Sequence, residues 1–263
     1  MRSLLAFSVA FVIAGSAQAQ FGGFDLGKAV NNVSDLGKIA KGATGIGPEE
    51  ERTIGGSVAI EIASKYGGIL HDEAISRRVN LVGKSLARYS SRPDLQWRFG
   101  VLGSQTVNAF SAPGGYVFIT RGLYDMLPTD DALAAVLAHE ITHITRRHAL
   151  NIIARNGAFS GALDLASQKS ADVQKFDTGI DQITKTLFET GFDAPKEYEA
   201  DSGGRQLAIT TGYAPGGLRF VLEQLQANGG DPKKVFSTHP PLPERIKRLP
   251  ADPAPPGDPA AAH

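Results

Sequence analysis

The stretch from Leu133 to His143 constrains this chain more than any other. Leu133-Ala134-Ala135-Val136-Leu137-Ala138 is an apolar, helix-forming run, and His139-Glu140-Ile141-Thr142-His143 continues it. So apolar a run forces part of its helix into a core, and it carries two imidazoles and a carboxylate with it. Two His four residues apart on a helix project from one face, separated by roughly 40° at about 100° per residue. Together they form a pincer for one tetrahedral metal ion. Imidazole nitrogens bind Zn²⁺ at about 2.0–2.1 Å and suit its borderline softness. Glu140 points to a neighbouring side of the same turn. From there it can take a proton from a metal-bound water without being a ligand. Bare H-E-x-x-H also arises by chance, on helices with two surface His and a solvated Glu. The apolar setting weighs against that alternative.

The 263 residues have room for a leader, one domain of ordinary size and some tails. Lys plus Arg equals Asp plus Glu, 27 against 27, so nothing favours nucleic acid or an anionic membrane as the main partner. There is no Cys, which excludes disulfides, Cys-ligated metals, thiol catalysis and a lipid-modified cysteine. Met1-Arg2, the apolar Leu4 to Ala14 and Ala17-Gln18-Ala19 read as a signal peptide over 1–19, with a mature start at Gln20. Its apolar core is too short for a comfortable membrane span, and no other segment approaches about eighteen uninterrupted apolar residues. The expectation is an exported protein with no transmembrane span after leader removal, periplasmic if the source is a Gram-negative bacterium.

Residues 20–47 are Gly-containing, with Leu26, Val30, Val33, Leu36 and Ile39 at helical spacing for a short amphipathic helix. Residues 48–250 then read as one domain. Pro48-Glu49-Glu50-Glu51 starts a helix to Lys65, and Asp72-Glu73 starts another with Ile75, Val79, Val82 and Leu86 as its buried stripe. His71, just ahead of that start, reads as a loop or capping residue. Leu95–Leu102, Val107–Ser111 and Tyr116–Thr120 are strands with a Pro-Gly-Gly turn between the last two, together a small antiparallel sheet. Tyr124 to Leu127 is a short helical turn. Pro128-Thr129-Asp130-Asp131 caps the motif helix, which extends to Asn156. Looser helical segments follow at Ala162–Ala166 and Ile180–Phe188, as modest core helices or a mobile cover over the cleft. Further helices are expected over Glu197–Ile209, Pro215–Ala227 and Pro241–Leu249, and the Pro/Ala-rich tail 251–263 should be disordered. The fold class is α+β, mostly helical.

A catalytic zinc usually takes three protein ligands and leaves one position for water. One zincin type places a third His six residues after the second, following a Gly; here those positions are Ala149 and Arg146. His148 lies about 180° around the helix from His139, which leaves it a structural hydrogen bond or one to a ligand. Glu197-Tyr198-Glu199-Ala200-Asp201 offers the other common solution. Glu197 and Asp201, i and i+4, share a face: Glu197 would bind zinc and Asp201 would accept the outer N–H of a ligating His. Glu199 would point elsewhere, into solvent. The same acids also suit any helix N-terminus.

His139-Glu140-Ile141-Thr142-His143 followed by Arg147-His148, Glu197 with Ala200-Asp201, Asn108 to Leu123, and Ser237-Thr238-His239-Pro240-Pro241-Leu242-Pro243-Glu244-Arg245-Ile246 resemble the HtpX/BepA-like peptidase family. That family also includes the CAAX prenyl proteases and the mitochondrial inner-membrane protease Oma. The resemblance runs from about Pro48 to Leu249. It implies a zincin-like domain with one Zn²⁺ at His139, His143 and Glu197, Glu140 as base, and Asp201 behind a ligand. It implies that Val107–Ser111 lies along the cleft as an edge a substrate can join, which a buried edge would contradict. His239 sits in a loop that the family places near zinc. It is read as a ligand that shuts the site until displaced, as an oxyanion stabiliser (a role open also to Arg245), or as a packed loop residue. The implied activity is zinc-dependent hydrolysis of peptide bonds, with misfolded or unassembled envelope proteins as substrates. The alternatives are a chaperone-like binding protein whose metal site is closed, and a zinc hydrolase of non-peptide substrates.

Overall fold

Pro48 has no N–H to leave unbonded at a helix start, and Glu49, Glu50 and Glu51 meet the partial positive charge there. Helix α1 (Pro48–Lys65) accordingly begins and ends where the sequence predicts. The computed structural model describes residues 20–21, 24–25, 46–155, 180–181, 183–228 and 241–251. The predicted signal peptide, N-terminal amphipathic helix, Ala162–Ala166 helix and C-terminal tail lie outside the described residues, as does His239. Helix α2 (Glu73–Tyr89) is capped by Asp72, whose side chain accepts from the Ile75 N–H at 3.0 Å. Its predicted stripe of Ile75, Val79, Val82 and Leu86 is buried.

Strands β1 (Arg98–Leu102), β2 (Ala109–Ala112) and β3 (Tyr116–Thr120) form one sheet in the order β1-β3-β2. β2 and β3 are antiparallel, with Ala109 opposite Ile119 and Ala112 opposite Tyr116. β1 runs parallel to β3, with Arg98 opposite Tyr116 and Leu102 opposite Thr120, so the sheet is mixed rather than antiparallel throughout. Residues 103–108 carry the chain past the central position, and the Pro-Gly-Gly turn returns it into the gap. Gly114 and Gly115 have φ of 78° and 100°, and a Cβ on Gly114 would meet Arg52 Cα at 2.8 Å. Val117 and Ile119 face one apolar cluster, with α2 and the motif helix; Tyr116 and Phe118 face another, with α1.

The short helix α3 (Arg121–Tyr124) comes earlier than the predicted turn at Tyr124–Leu127, because Thr120 caps it by accepting the Leu123 N–H. Helix α4 (Asp130–Thr145) carries the motif, and Thr129 caps it by accepting the Ala132 N–H at 3.2 Å. Every residue from Ala132 to Ile144 is buried. α4 does not continue to Asn156. It stops at Thr145, and helix α5 (His148–Arg155) starts after Arg147, a non-glycine residue at φ 56°. Arg92 donates to the Ile144 carbonyl at 3.3 Å, and Arg147 pairs with Glu51 at 3.4 Å, which pins the break.

Residues 180–181 and 183–185 are helical and run into a π-helical turn, Thr186–Thr190, ended by Gly191 at φ 68°. Helix α6 (Ala194–Thr211) is capped by Asp193 and stops at Gly212, φ 101°. Helices α7 (Gly217–Ala227) and α8 (Leu242–Arg248) complete the described chain. No described helix is long and apolar enough to cross a membrane.

Candidate active site

The site forms where α6 crosses α4 at very short range. A Cβ on Gly204 would stand 2.7 Å from the His139 backbone nitrogen, and one on Gly203 would stand 2.7 Å from Thr142 Cγ2. Two residues without side chains at this crossing let the first turn of α6 lower Glu197 onto the two imidazoles of α4. His139 Nε2 lies 3.6 Å from Glu197 Oε2, His143 Nε2 lies 3.6 Å from Glu197 Oε1, and the two Nε2 atoms are 3.1 Å apart. One ligand atom from each of the three residues falls within 4.8 Å of the others, and all three residues are buried. Ligands at about 2.0–2.1 Å on tetrahedral corners are about 3.3 Å apart, so the donor set and its spacing fit one zinc-sized ion.

Each His is held from behind. His139 Nδ1 is 3.0 Å from Asp201 Oδ1, and Arg245 grips Asp201 with both ends of a fork, Nε to Oδ2 at 2.9 Å and Nη2 to Oδ1 at 2.6 Å. His143 Nδ1 is 2.9 Å from His148 Nδ1, His148 Nε2 is 3.2 Å from Glu199 Oε2, and Arg146 pairs with Glu199 at 3.1 Å. Phe192 stacks on the His143 ring at 4.4 Å between centroids.

The metal-free electrostatics follow from these partners. Burial works against a charged His139, but Asp201 and Glu197 outweigh it and raise its pKa to about 9. Burial also opposes the Asp201 carboxylate, yet Arg245 and His139 hold its pKa well below the usual range. Burial lowers the pKa of His148 against the pull of Glu199. A site with this much negative charge around two buried imidazoles is prepared for a cation.

Glu140 sits one residue from His139, 5% exposed, beside a small apolar recess of about 30 Å³ that Ala109, Val136, Leu218, Leu222 and Arg245 also line. β2 is an edge of the sheet. The Thr120 N–H bonds to the Asn108 carbonyl, so by antiparallel alternation the backbone of Ala109 and Ser111 points away from β3. All four residues of β2 are nevertheless buried, backbone included, from Ala109 at 9% to Ala112 at 0%, which counts against the expectation of an edge that a substrate can join.

The structure thus brings His139, Glu140, His143, Glu197 and Asp201 together, as the spacing suggested. Arg245 is brought in too, but two of its nitrogens are committed to Asp201, which weakens the oxyanion assignment. Glu199 does not simply point into solvent: it closes a chain through His148. Sequence reasoning also missed Glu51, read only as part of an acidic first turn. Its carboxylate, 1% exposed, takes two bonds from Arg92 at 2.8 Å and the Gly114 N–H at 3.1 Å, joining α1 to the β2–β3 turn. An acid too many at a helix start is the only local signal for it.

Residues 73–252 match Peptidase family M48. The chain is 32% identical over 200 residues to the mitochondrial metalloendopeptidase OMA1 of Schizosaccharomyces pombe, covering 72% of this chain and 57% of that protein. It is 28% identical over 227 residues to the beta-barrel assembly-enhancing protease of Escherichia coli K12, covering 81% and 45%. It is 27% identical over 195 residues to the metalloprotease YcaL of the same organism, covering 71% and 70%. The chain therefore spans about half the length of the first two relatives.

Proposed function

The chain belongs to peptidase family M48, and from that premise we propose that it is a zinc-dependent endopeptidase of the bacterial envelope. The observation that carries this reading is the buried convergence of His139, His143 and Glu197 with Glu140 alongside. Those three residues would hold the metal. Bound there, Zn²⁺ supplies a Lewis acid for the scissile carbonyl and a water whose pKa falls to about 7. Glu140 takes the proton of the attacking water on its carboxylate and delivers it to the leaving amine nitrogen. Asp201 accepts the Nδ1–H of His139 and leaves Nε2 for the ion, while Arg245 keeps Asp201 ionised and oriented. The buried edge of β2 opposes substrate strand addition there, the binding mode that the resemblance implied.

Misfolded or unassembled envelope proteins are the substrates we favour, on the strength of the relatives named for beta-barrel assembly. The leader read over 1–19 would carry the chain to the periplasm of a Gram-negative cell. His239 is proposed to gate the site. The deciding experiment measures zinc content and casein cleavage for the protein starting at Gln20, as wild type, Glu140→Gln and His239→Ala. One zinc per chain, with cleavage lost only in Glu140→Gln, is expected. Zinc without cleavage in all three would replace the protease by a binding protein with a closed site.

A further inference from the structure

Two histidines of the site have unlike supports, and the second runs through His148 to Glu199, a residue that the sequence sent into solvent. His143 presents Nε2 to Glu197 and His139, so a neutral, ligating His143 carries its proton on Nδ1. That nitrogen stands 2.9 Å from His148 Nδ1, which must then accept. The proton of His148 is thereby on Nε2, 3.2 Å from the Glu199 carboxylate, an acceptor only. The opposite polarity of two neutral rings would set the His148 Nε2 lone pair against that carboxylate. Glu199 therefore selects the one direction of the chain that leaves His143 Nε2 free.

The backbone is arranged around this contact. In an unbroken helix, His148 would stand about 140° around the axis from His143. The left-handed Arg147 turns the chain so that the first residue of α5 comes back against α4. Asp201 and Arg245, which support His139, are almost fully buried, whereas the Glu199 side chain is 45% exposed. One ligand is thus held from the core and the other from the surface.

We propose that His148 and Glu199 are positioning residues that fix the tautomer and orientation of His143, and that Glu199 is a surface handle on metal affinity. This rests on the metal-site reading above. Zinc dissociation constants are measured by chelator competition on the full chain for wild type, Glu199→Ala, His148→Leu and His148→Asn. His148→Leu should weaken zinc binding about 10–100-fold, and Glu199→Ala about 10-fold. His148→Asn, whose Oδ1 can accept from His143 Nδ1, should return to within about threefold of wild type. Glu199→Ala keeps the test open if a His148 variant does not fold, because its side chain is half exposed; its metal-free melting temperature should match wild type. Wild-type affinity in both Glu199→Ala and His148→Leu would overturn the inference and leave the protease standing. Equal losses in His148→Leu and His148→Asn would reduce His148 to packing and overturn it as well. Wild type that binds no zinc would instead overturn the metal-site reading itself.

Discussion

Arg245→Lys separates two roles for one buried cation. Arg245 holds both oxygens of Asp201 through a planar fork, at 2.9 and 2.6 Å, and is 3% exposed. Lys keeps the charge but donates from a single point, so one of the two bonds is lost. A hydrogen bond to a charged group contributes about 1.5–3 kcal/mol, which for a domain of this size lowers the melting temperature by about 3–12 °C. The larger consequence is local. Asp201 becomes free to swing, His139 loses its fixed Nδ1 partner, and zinc affinity should fall about 10–100-fold. With zinc in excess the site refills, and kcat should stay within about threefold of wild type. A cation that stabilised the oxyanion directly would behave in the opposite way, with kcat down about 10²–10³-fold and zinc affinity intact. Chelator competition and steady-state peptide cleavage in saturating zinc measure both quantities on one preparation. A collapse of kcat at full zinc occupancy, with an unchanged zinc dissociation constant, would refute the positioning role.

Three further outcomes follow from the same structure. Glu50 is 1% exposed, and burial, partly offset by the Gly47 backbone, pushes its pKa from 4.5 up to about 7. The folded protein therefore holds this proton where the unfolded chain has lost it, so stability falls as pH rises from 4.5 to about 7, by about 3 kcal/mol at most. Glu50→Gln should match wild type in urea unfolding at about pH 4 and exceed it at about pH 8, and an equal difference at both would remove the buried acid as the cause. Gly204→Ala should separate α6 from α4, since the new Cβ would stand 2.7 Å from the His139 nitrogen. It should cost about 1–3 kcal/mol in chemical denaturation together with most of the zinc affinity, and a variant with normal zinc binding would show that the crossing is looser than described. Stripping zinc from wild type should lower the melting temperature, by the equivalent of about 4 kcal/mol where free zinc stood a thousandfold above its dissociation constant. His143→Ala should show no such difference between metal-loaded and metal-free protein.

Much of the site was legible from spacing. His139 with His143, and Glu197 with Asp201, are i,i+4 pairs, and helical periodicity alone places each pair on one face. Local chemistry likewise located Pro48 at one helix start and Asp72 and Thr129 at two others. These relations span a turn or two and need no tertiary context. Alternation along Leu95–Leu102 identified a strand but could not give its direction. Whether β1 runs parallel to β3 depends on which side of the sheet residues 103–108 carry the chain. Nor could propensity foresee the break after Thr145. Arg147 has no intrinsic preference for φ 56°, and that conformation costs about 1–2 kcal/mol, so it persists because Glu51 and Arg92, distant in sequence, hold the end of α4. Glu199 could not be assigned for the same reason: its partner is reached only after that break. Sequence by itself determined which chemical groups share a helix face, because that is a property of the local backbone period. Tertiary structure decided which groups stand behind them, because those contacts join segments about fifty residues apart through a conformation that no single segment adopts alone.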